Sequence, residues 1–205
     1  MEIREPIVEY GKKVFSIKEY LERERLAKSK HEFYQGEIFA MAGASTRHNI
    51  IFSNVFVDIG YQLKGKPCRP FGSDMRIHIP ENTLFTYPDI SIFCGEPLHS
   101  PEDEDTIMQP VVLVEILSKT NREYDQNEKF ELYKAIPTLK EYITIDSEAV
   151  MVEAFRLNDQ KEWKRQGHKK FTQSLTINTV GVSISLEEIY QGTKLTETKG
   201  YFLPF

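Results

Sequence analysis

Between Ser45 and Leu63 aliphatic residues return every fourth position, at Ile51, Val55, Ile59 and Leu63. That period places them on one face of a helix, which Gly65 and Pro67 close. Further upstream, Ser16 followed three residues later by Glu19 has the form of a capping box and predicts a short helix to about Ala27. Glu32 to Met41 reads as two short strands turning near Gly36. Strand-like runs follow at Cys68 to Phe71, Asp74 to Ile79 and Pro88 to Cys94, and then the polar stretch Gly95 to Gln109, whose Glu102-Asp-Glu-Asp run is expected to be a solvated loop. The segment Val111 to Leu117 is apolar and β-branched, the composition of a central strand buried on both faces. A helix from about Asn121 to Ala135, a strand from Glu141 to Ile145, a hairpin over Val150–Leu157 and Trp163–Phe171, and a short helix within Thr179–Gln191 complete the pattern. Helices and strands alternate without a repeat or a Ser/Gly/Pro linker, so one domain over residues 1–205 is expected, of mixed α/β class with a central mixed sheet flanked by helices.

Composition adds exclusions more than it adds identity. The chain has 205 residues with 40% hydrophobic and 28% charged content, which is ordinary for a globular protein. No apolar run approaches the roughly 20 residues of a membrane helix, and the opening Met1-Glu-Ile-Arg-Glu-Pro has none of the pattern of a signal peptide. Two cysteines cannot form a disulfide framework; Cys68 and Cys94 read as small apolar residues in a reducing cytoplasm. The net charge of −5 speaks against a protein that coats nucleic acid by bulk electrostatics, though not against an enzyme that acts on it.

Candidate chemistry begins with Glu115. It interrupts the apolar strand Val111–Leu117, and an unpaired carboxylate there costs several kcal/mol, so it needs a partner or water at an edge. Two readings follow: a buried ion pair with a lysine or arginine, or a metal ligand on a rigid strand. Asp89, opening the next strand upstream after Pro88, is the residue that turns attention to the second, because two carboxylates meeting at a sheet end can hold Mg²⁺ and leave positions for water and phosphate. A lysine to accompany them has two sources. Lys119 lies on the Glu115 face if the strand continues. Lys129 shares a helix face with Asp125 and Tyr133 at i, i+4 spacing, where the plain reading is an exposed Asp–Lys pair.

Taken together, Pro88-Asp89, Val114-Glu115-Ile-Leu-Ser118, Asp125-x-x-x-Lys129-x-x-x-Tyr133, Glu141-Tyr142 and Asp146, with Gly36-Glu37, His48-x-x-Ile51 and Asp74 upstream, resemble the Uma-two family of restriction-endonuclease-like proteins. That family is assigned to the PD-(D/E)XK nuclease superfamily, and the resemblance spans about residues 15 to 190. It implies a restriction-endonuclease-like core, Asp89 and Glu115 as ligands of Mg²⁺ or Mn²⁺, and Lys129 as a migrated catalytic lysine preferred over Lys119. It also implies supporting positions near the site for His48 and Asp74, and Glu37 could reach it from the hairpin. The superfamily's strict pattern carries a lysine where this chain has Leu117. The implied activity is metal-dependent hydrolysis of DNA, most simply double-stranded, in the cytoplasm, and cutting both strands would favour a homodimer of twofold symmetry; the alternative is a catalytically silent module binding DNA or a protein on the same fold. The basic run Lys161 to Lys170, with Trp163, either tracks a DNA backbone or is an exposed hairpin.

Overall fold

A computed structural model describes residues 14–119, 122 and 124–196. The opening Met1-Glu-Ile-Arg-Glu-Pro and the start of the helix expected at Asn121 lie outside the described residues. Among the described residues, fourteen strands and four α-helices alternate in two six-stranded mixed sheets and one two-stranded sheet. The mixed α/β class follows from the pattern of the sequence; its division into two large sheets does not.

The first sheet is built from β1 (His31–Tyr34), β2 (Glu37–Ala40), β4 (Arg76–Ile79), β5 (Leu84–Thr86), β7 (Leu98–Ser100) and β8 (Asp103–Met108), in the order β2-β1-β5-β4-β8-β7. The β1–β2 turn runs through Gln35 and Gly36, both at positive φ. Gly36 is required there twice over, since a Cβ would also come 2.3 Å from a Val14 methyl. Helix α1 (Ile17–Leu26) starts in the expected capping box, Ser16 with Glu19, and buries Tyr20 and Leu21 against Phe33, Ile38 and Phe85 of this sheet.

The second sheet has the order β12-β11-β10-β9-β6-β3, from β3 (Cys68–Gly72), β6 (Ile90–Cys94), β9 (Val112–Leu117), β10 (Glu141–Asp146), β11 (Val152–Leu157) and β12 (Trp163–His168). Strands β9 and β10 are parallel, and every residue of both is buried. On one face Ile90, Ile92, Val112, Val114, Ile116, Ile143 and Ile145 pack on the Ile51, Val55, Ile59 and Leu63 stripe of α2 (Thr46–Leu63). Each such side chain contributes roughly 1.5–3 kcal/mol through removal from water. The small sheet β13 (Ser174–Ile177) with β14 (Val182–Ser185), and α4 (Leu186–Ile189), close the same core. On the opposite face Phe93, Leu113 and Tyr142 meet Phe130 and Tyr133 of α3 (Lys129–Tyr133) and Ile77, Ile79 and Leu84 of the first sheet. A π-helical turn, Tyr124–Glu128, leads directly into α3. Among the described residues no helix is long and apolar enough to cross a membrane.

Two expectations are corrected. The stretch Gly95–Gln109 is the β7–β8 hairpin rather than a solvated loop, and Asp103 within its acidic run is buried. Arg76 Nη2 lies 2.5 Å from Asp103 Oδ2, Arg25 Nη2 lies 2.8 Å from Oδ1, and Thr106 donates to Oδ2 at 2.6 Å. Burial alone would raise this carboxyl, but the hydrogen bonds from Thr106, Arg25 and Arg76 hold it down to about 2. A local charge run predicts solvation only when its partners are local; these arginines come from β4 and α1. The cysteines, read as free apolar thiols, are joined as a disulfide, Cys68–Cys94. The antiparallel register of β3 and β6 sets them directly opposite one another, a pairing that no spacing in the sequence discloses.

Asp103→Ala should cost about 3–5 kcal/mol in urea unfolding, because it leaves Arg76 buried without its carboxylate, whereas Glu104→Ala, at an exposed neighbour, should be neutral within about 0.5 kcal/mol. Equal effects would remove the ion pair from the account of this hairpin. Thiol titration of unreduced protein should find no reactive cysteine, and Cys94→Ser should lower stability by about 2–4 kcal/mol; two freely titrating thiols would show that the bridge does not form.

Candidate active site

Glu115 enters the site from β9, on the face turned toward α3. Strand β6 pairs beside it, Ile90 opposite Val114, so the residue just before β6 arrives at the Glu115 level. That residue is Asp89, placed there by Pro88, which forgoes no ladder bond at a strand start. The Ile116 amide donates to Asp89 Oδ2 at 2.7 Å, and the Asp89 amide lies 3.4 Å from Glu115 Oε2. The two carboxylates are thus locked to each other's strands.

His48 reaches the same point from the first turn of α2. Ser45 caps that helix by accepting from the His48 amide at 3.1 Å, and the His48 ring Nε2 lies 3.0 Å from Asp89 Oδ1. Burial pulls the imidazole down, but the Asp89 hydrogen bond and the Asp89 and Glu115 charges outweigh it, leaving its pKa above the ordinary value.

Lys129, the first residue of α3, is only 2% exposed at its side chain. Its Nζ lies 2.8 Å from Glu115 Oε1, 3.1 Å from Glu32 Oε1 and 3.6 Å from Asp125 Oδ1. The i, i+4 spacing of Asp125, Lys129 and Tyr133 does put them on one face, but that face is buried rather than exposed. Tyr133 donates to Glu115 Oε1 at 2.7 Å, Thr86 donates to Glu32 Oε1 at 2.6 Å, and Tyr142 donates to the Asp125 carbonyl at 2.7 Å, fixing the π-helical turn to β10.

One ammonium therefore serves three carboxylates. Burial pulls Lys129 down, yet Glu115 and Glu32 more than offset it, and its pKa stands well above the ordinary lysine range. Glu115 is pushed the other way by burial; Lys129 lowers it, Asp125 and Asp89 raise it again, and it settles at about 7. The pocket holds more negative charge than Lys129 can balance.

Of the residues singled out from the sequence, Asp89, Glu115, Lys129, His48, Asp125 and Tyr133 come together. Asp74 does not: its side chain is fully exposed in a turn, 3.2 Å from Lys30. Glu37 is exposed on β2, opposite Tyr34 across the hairpin. Lys119 is exposed in the turn after β9, which ends at Leu117. The acid that the hairpin does deliver is Glu32, which sequence reasoning passed over. Its one signal was a carboxylate inside a short strand, the same anomaly that marked Glu115, but its partners Thr86 and Lys129 lie on distant segments.

The donors suit a hard divalent cation in part. Asp89 and Glu115 offer carboxylate oxygens on rigid strands, and the surplus negative charge favours a cation. Among the described residues no group of three or more His, Cys, Asp or Glu is assembled to hold a metal ion. A cation held by these two residues would complete its shell with water and substrate oxygens.

Comparison with known proteins agrees with this layout. The model of the Uma2 family, described as "Putative restriction endonuclease", matches residues 17–187. Two proteins of Synechocystis sp., the uncharacterized proteins sll1609 and slr1290, are 34% and 31% identical to this chain, over 74% and 86% of it and 85% and 92% of their own lengths. The crystal structure of "a putative nuclease belonging to DUF820" from Anabaena variabilis superposes with a TM-score of 0.67 at 17% identity, covering 84% of this chain and 95% of that one, and so shares its fold. With the family model running from α1 into α4 and both relatives aligned over most of their length, the chain belongs to the Uma2 family.

Proposed function

We propose that this protein is a divalent-metal-dependent endonuclease that hydrolyses DNA phosphodiester bonds, with Asp89 and Glu115 holding Mg²⁺ or Mn²⁺. The observation that carries the reading is the meeting of two carboxylates from neighbouring strands with a buried lysine, 2.8 Å from one of them. Nuclease membership of the family and fold supports it. A divalent cation bound there supplies positive charge to a phosphodiester transition state and acidity to water. The protein's own groups do the positioning. Ile116 N–H and His48 fix the two oxygens of Asp89, and Tyr133 fixes Glu115. Lys129, kept charged by its carboxylates, orients water and offsets charge building on the phosphate.

The reading extends to a single-domain protein acting on double-stranded DNA, and to a homodimer, whose twofold symmetry would match that of a duplex cut on both strands. It also takes the protein to act in the cytoplasm, with the Cys68–Cys94 bridge in place. A second reading, a silent DNA- or protein-binding module, draws on one observation: the Lys129 ammonium is enclosed by Glu32, Glu115 and Asp125, which also describes a purely structural ion-pair network. Plasmid nicking in Mg²⁺ or Mn²⁺ separates them, since metal binding without turnover would select the silent module.

Calorimetric titration should show a Mg²⁺ or Mn²⁺ site that weakens sharply in Asp89→Ala and in Glu115→Ala; unaltered binding in both would end the ligand assignment. The pH dependence has a definite sign. With Glu115 raised from 4.5 to about 7, its contribution to stability is complete below about 4.5 and lost as pH rises through 7. Metal-free Glu115→Gln should therefore gain on the parent protein between pH 5 and pH 8, by on the order of 2–3 kcal/mol. Destabilisation at both pH values would favour the structural ion pair instead.

Lys129→Met should reduce metal-dependent cleavage by roughly 100-fold or more while leaving metal binding largely intact, because an ammonium is not a ligand. Lys119→Ala should keep most of the activity at saturating DNA. The reverse pattern would move the catalytic lysine to the end of β9.

A further inference from the structure

Solvent reaches the site on one side. The Asp89 and His48 side chains are 16% and 12% exposed, whereas Glu115 and Lys129 are closed off behind them. Around that opening, just past the ends of β9 and β10, four basic side chains collect from four separate segments. Arg47, adjacent to His48 on α2, donates from Nη1 to the Ser147 carbonyl at 3.0 Å and to Glu148 at 2.9 Å. Ser147 in turn donates its amide to the Leu117 carbonyl at 3.0 Å, so Arg47 is tied to the end of β9 from which Lys119 projects. Arg122 lies over the end of β10, with Nη2 2.7 Å from Asp146 Oδ1. Lys194 completes the group: it lines, with Arg47, Thr46 and Glu148, a cavity of about 360 Å³. Arg47 and Arg122 remain 36% and 39% exposed, and Lys119 and Lys194 are exposed outright.

The basic run singled out from the sequence is split: Lys169 and Lys170 follow His168 at the Leu117 end of the sheet but on its outermost strand, while the rest lies farther away. Leu157 pairs with Trp163 and Glu141 with both Arg156 and Val112, so Lys161 and Lys164 sit at the end of the sheet away from Leu117. Lys164 is also paired with Glu162 at 2.8 Å, and Arg165 with Glu153. A chain of net charge −5 thus keeps a local excess of cations over Asp146 and Glu148 at the mouth of an acidic pocket.

We infer that Arg47, Lys119, Arg122 and Lys194 form the collar that receives the phosphodiester backbone on either side of the bond presented to Asp89 and Glu115. The inference rests on the nuclease reading for the identity of its partner, and on the position of the four charges for its place. An acidic centre alone repels a polyanion; cations set around the rim overcome that repulsion without neutralising the carboxylates inside.

The test is the salt dependence of binding to a fluorescein-labelled DNA duplex about two helical turns long, followed by anisotropy in EDTA so that no cleavage intervenes. Each phosphate contact removed should flatten the plot of log K against log salt by roughly 0.9. The triple variant Arg47→Gln/Lys119→Gln/Lys194→Gln should flatten by two to three, and Lys161→Gln/Lys164→Gln should keep the parent slope. Because Arg47 also holds Ser147, the double variant Lys119→Gln/Lys194→Gln, confined to exposed side chains, should by itself flatten the slope by about two. Parent slopes in the triple and double variants, flattening in the hairpin variant instead, or no duplex binding by the parent protein at low salt would each overturn the collar. Glu115→Gln keeps the two questions apart, since it should lose cleavage and retain the slope. Collar-dependent binding by a parent protein that never cuts would sustain the collar and refute the nuclease.

Discussion

Lys129 brings one positive charge into a place nearly closed to bulk solvent and lined by three carboxylates. Glu32 comes from the first sheet, Glu115 from the second, and Asp125 from the π-helical turn that precedes Lys129 itself. Each acid would cost several kcal/mol if buried alone, and so would the ammonium. Glu32 and Glu115 reach the one ammonium only with both sheets and α3 in register. The charge cluster therefore acts as a condition on assembly: it disfavours every packing of these layers that separates the four groups.

That condition is met by dividing the labour between the two faces of the second sheet. Toward α2 the central strands present Ile90, Ile92, Val112, Val114, Ile116, Ile143 and Ile145, which close on a helix stripe of matching character. Toward α3 the same strands carry Glu115 among Leu113, Leu117 and, on β10, Tyr142. Apolar packing on one side holds the strands still enough for hydrogen bonds on the other to be specific. The aromatic residues contribute to both tasks. Tyr133 and Tyr142 fill the core with their rings, 5.6 Å apart, while their hydroxyls donate to Glu115 and to the Asp125 carbonyl.

The electrostatics form a gradient from inside to outside. At the centre the carboxylates outnumber the ammonium, so that Glu115 holds its proton more tightly than an ordinary glutamate. Asp89 and His48 occupy the boundary, and the cations at the ends of β9 and β10 stand beyond them. A deep acidic site with a basic rim is the arrangement that the proposed metal-dependent phosphodiester chemistry requires.

Period and interruption in the sequence determined a good deal. A four-residue repeat gave α2 its buried stripe, a β-branched run gave β9 its central position, and a lone glutamate inside that run marked the site. Helical spacing also grouped Asp125, Lys129 and Tyr133, because residues four apart on one helix share a face whatever surrounds it. Tertiary structure decided the rest. Whether that face was exposed or buried depended on the first sheet lying over it, and Glu32 joined the site while Glu37, on the same face of the hairpin, stayed in solvent because it sits beside the turn on β2, the edge strand of that sheet. Cys68 met Cys94, and Asp103 met Arg76 and Arg25, through pairings between strands and helices far apart in the chain. Spacing along a chain fixes which side chains share a surface of one element; which surfaces meet is fixed by the packing of all the elements together.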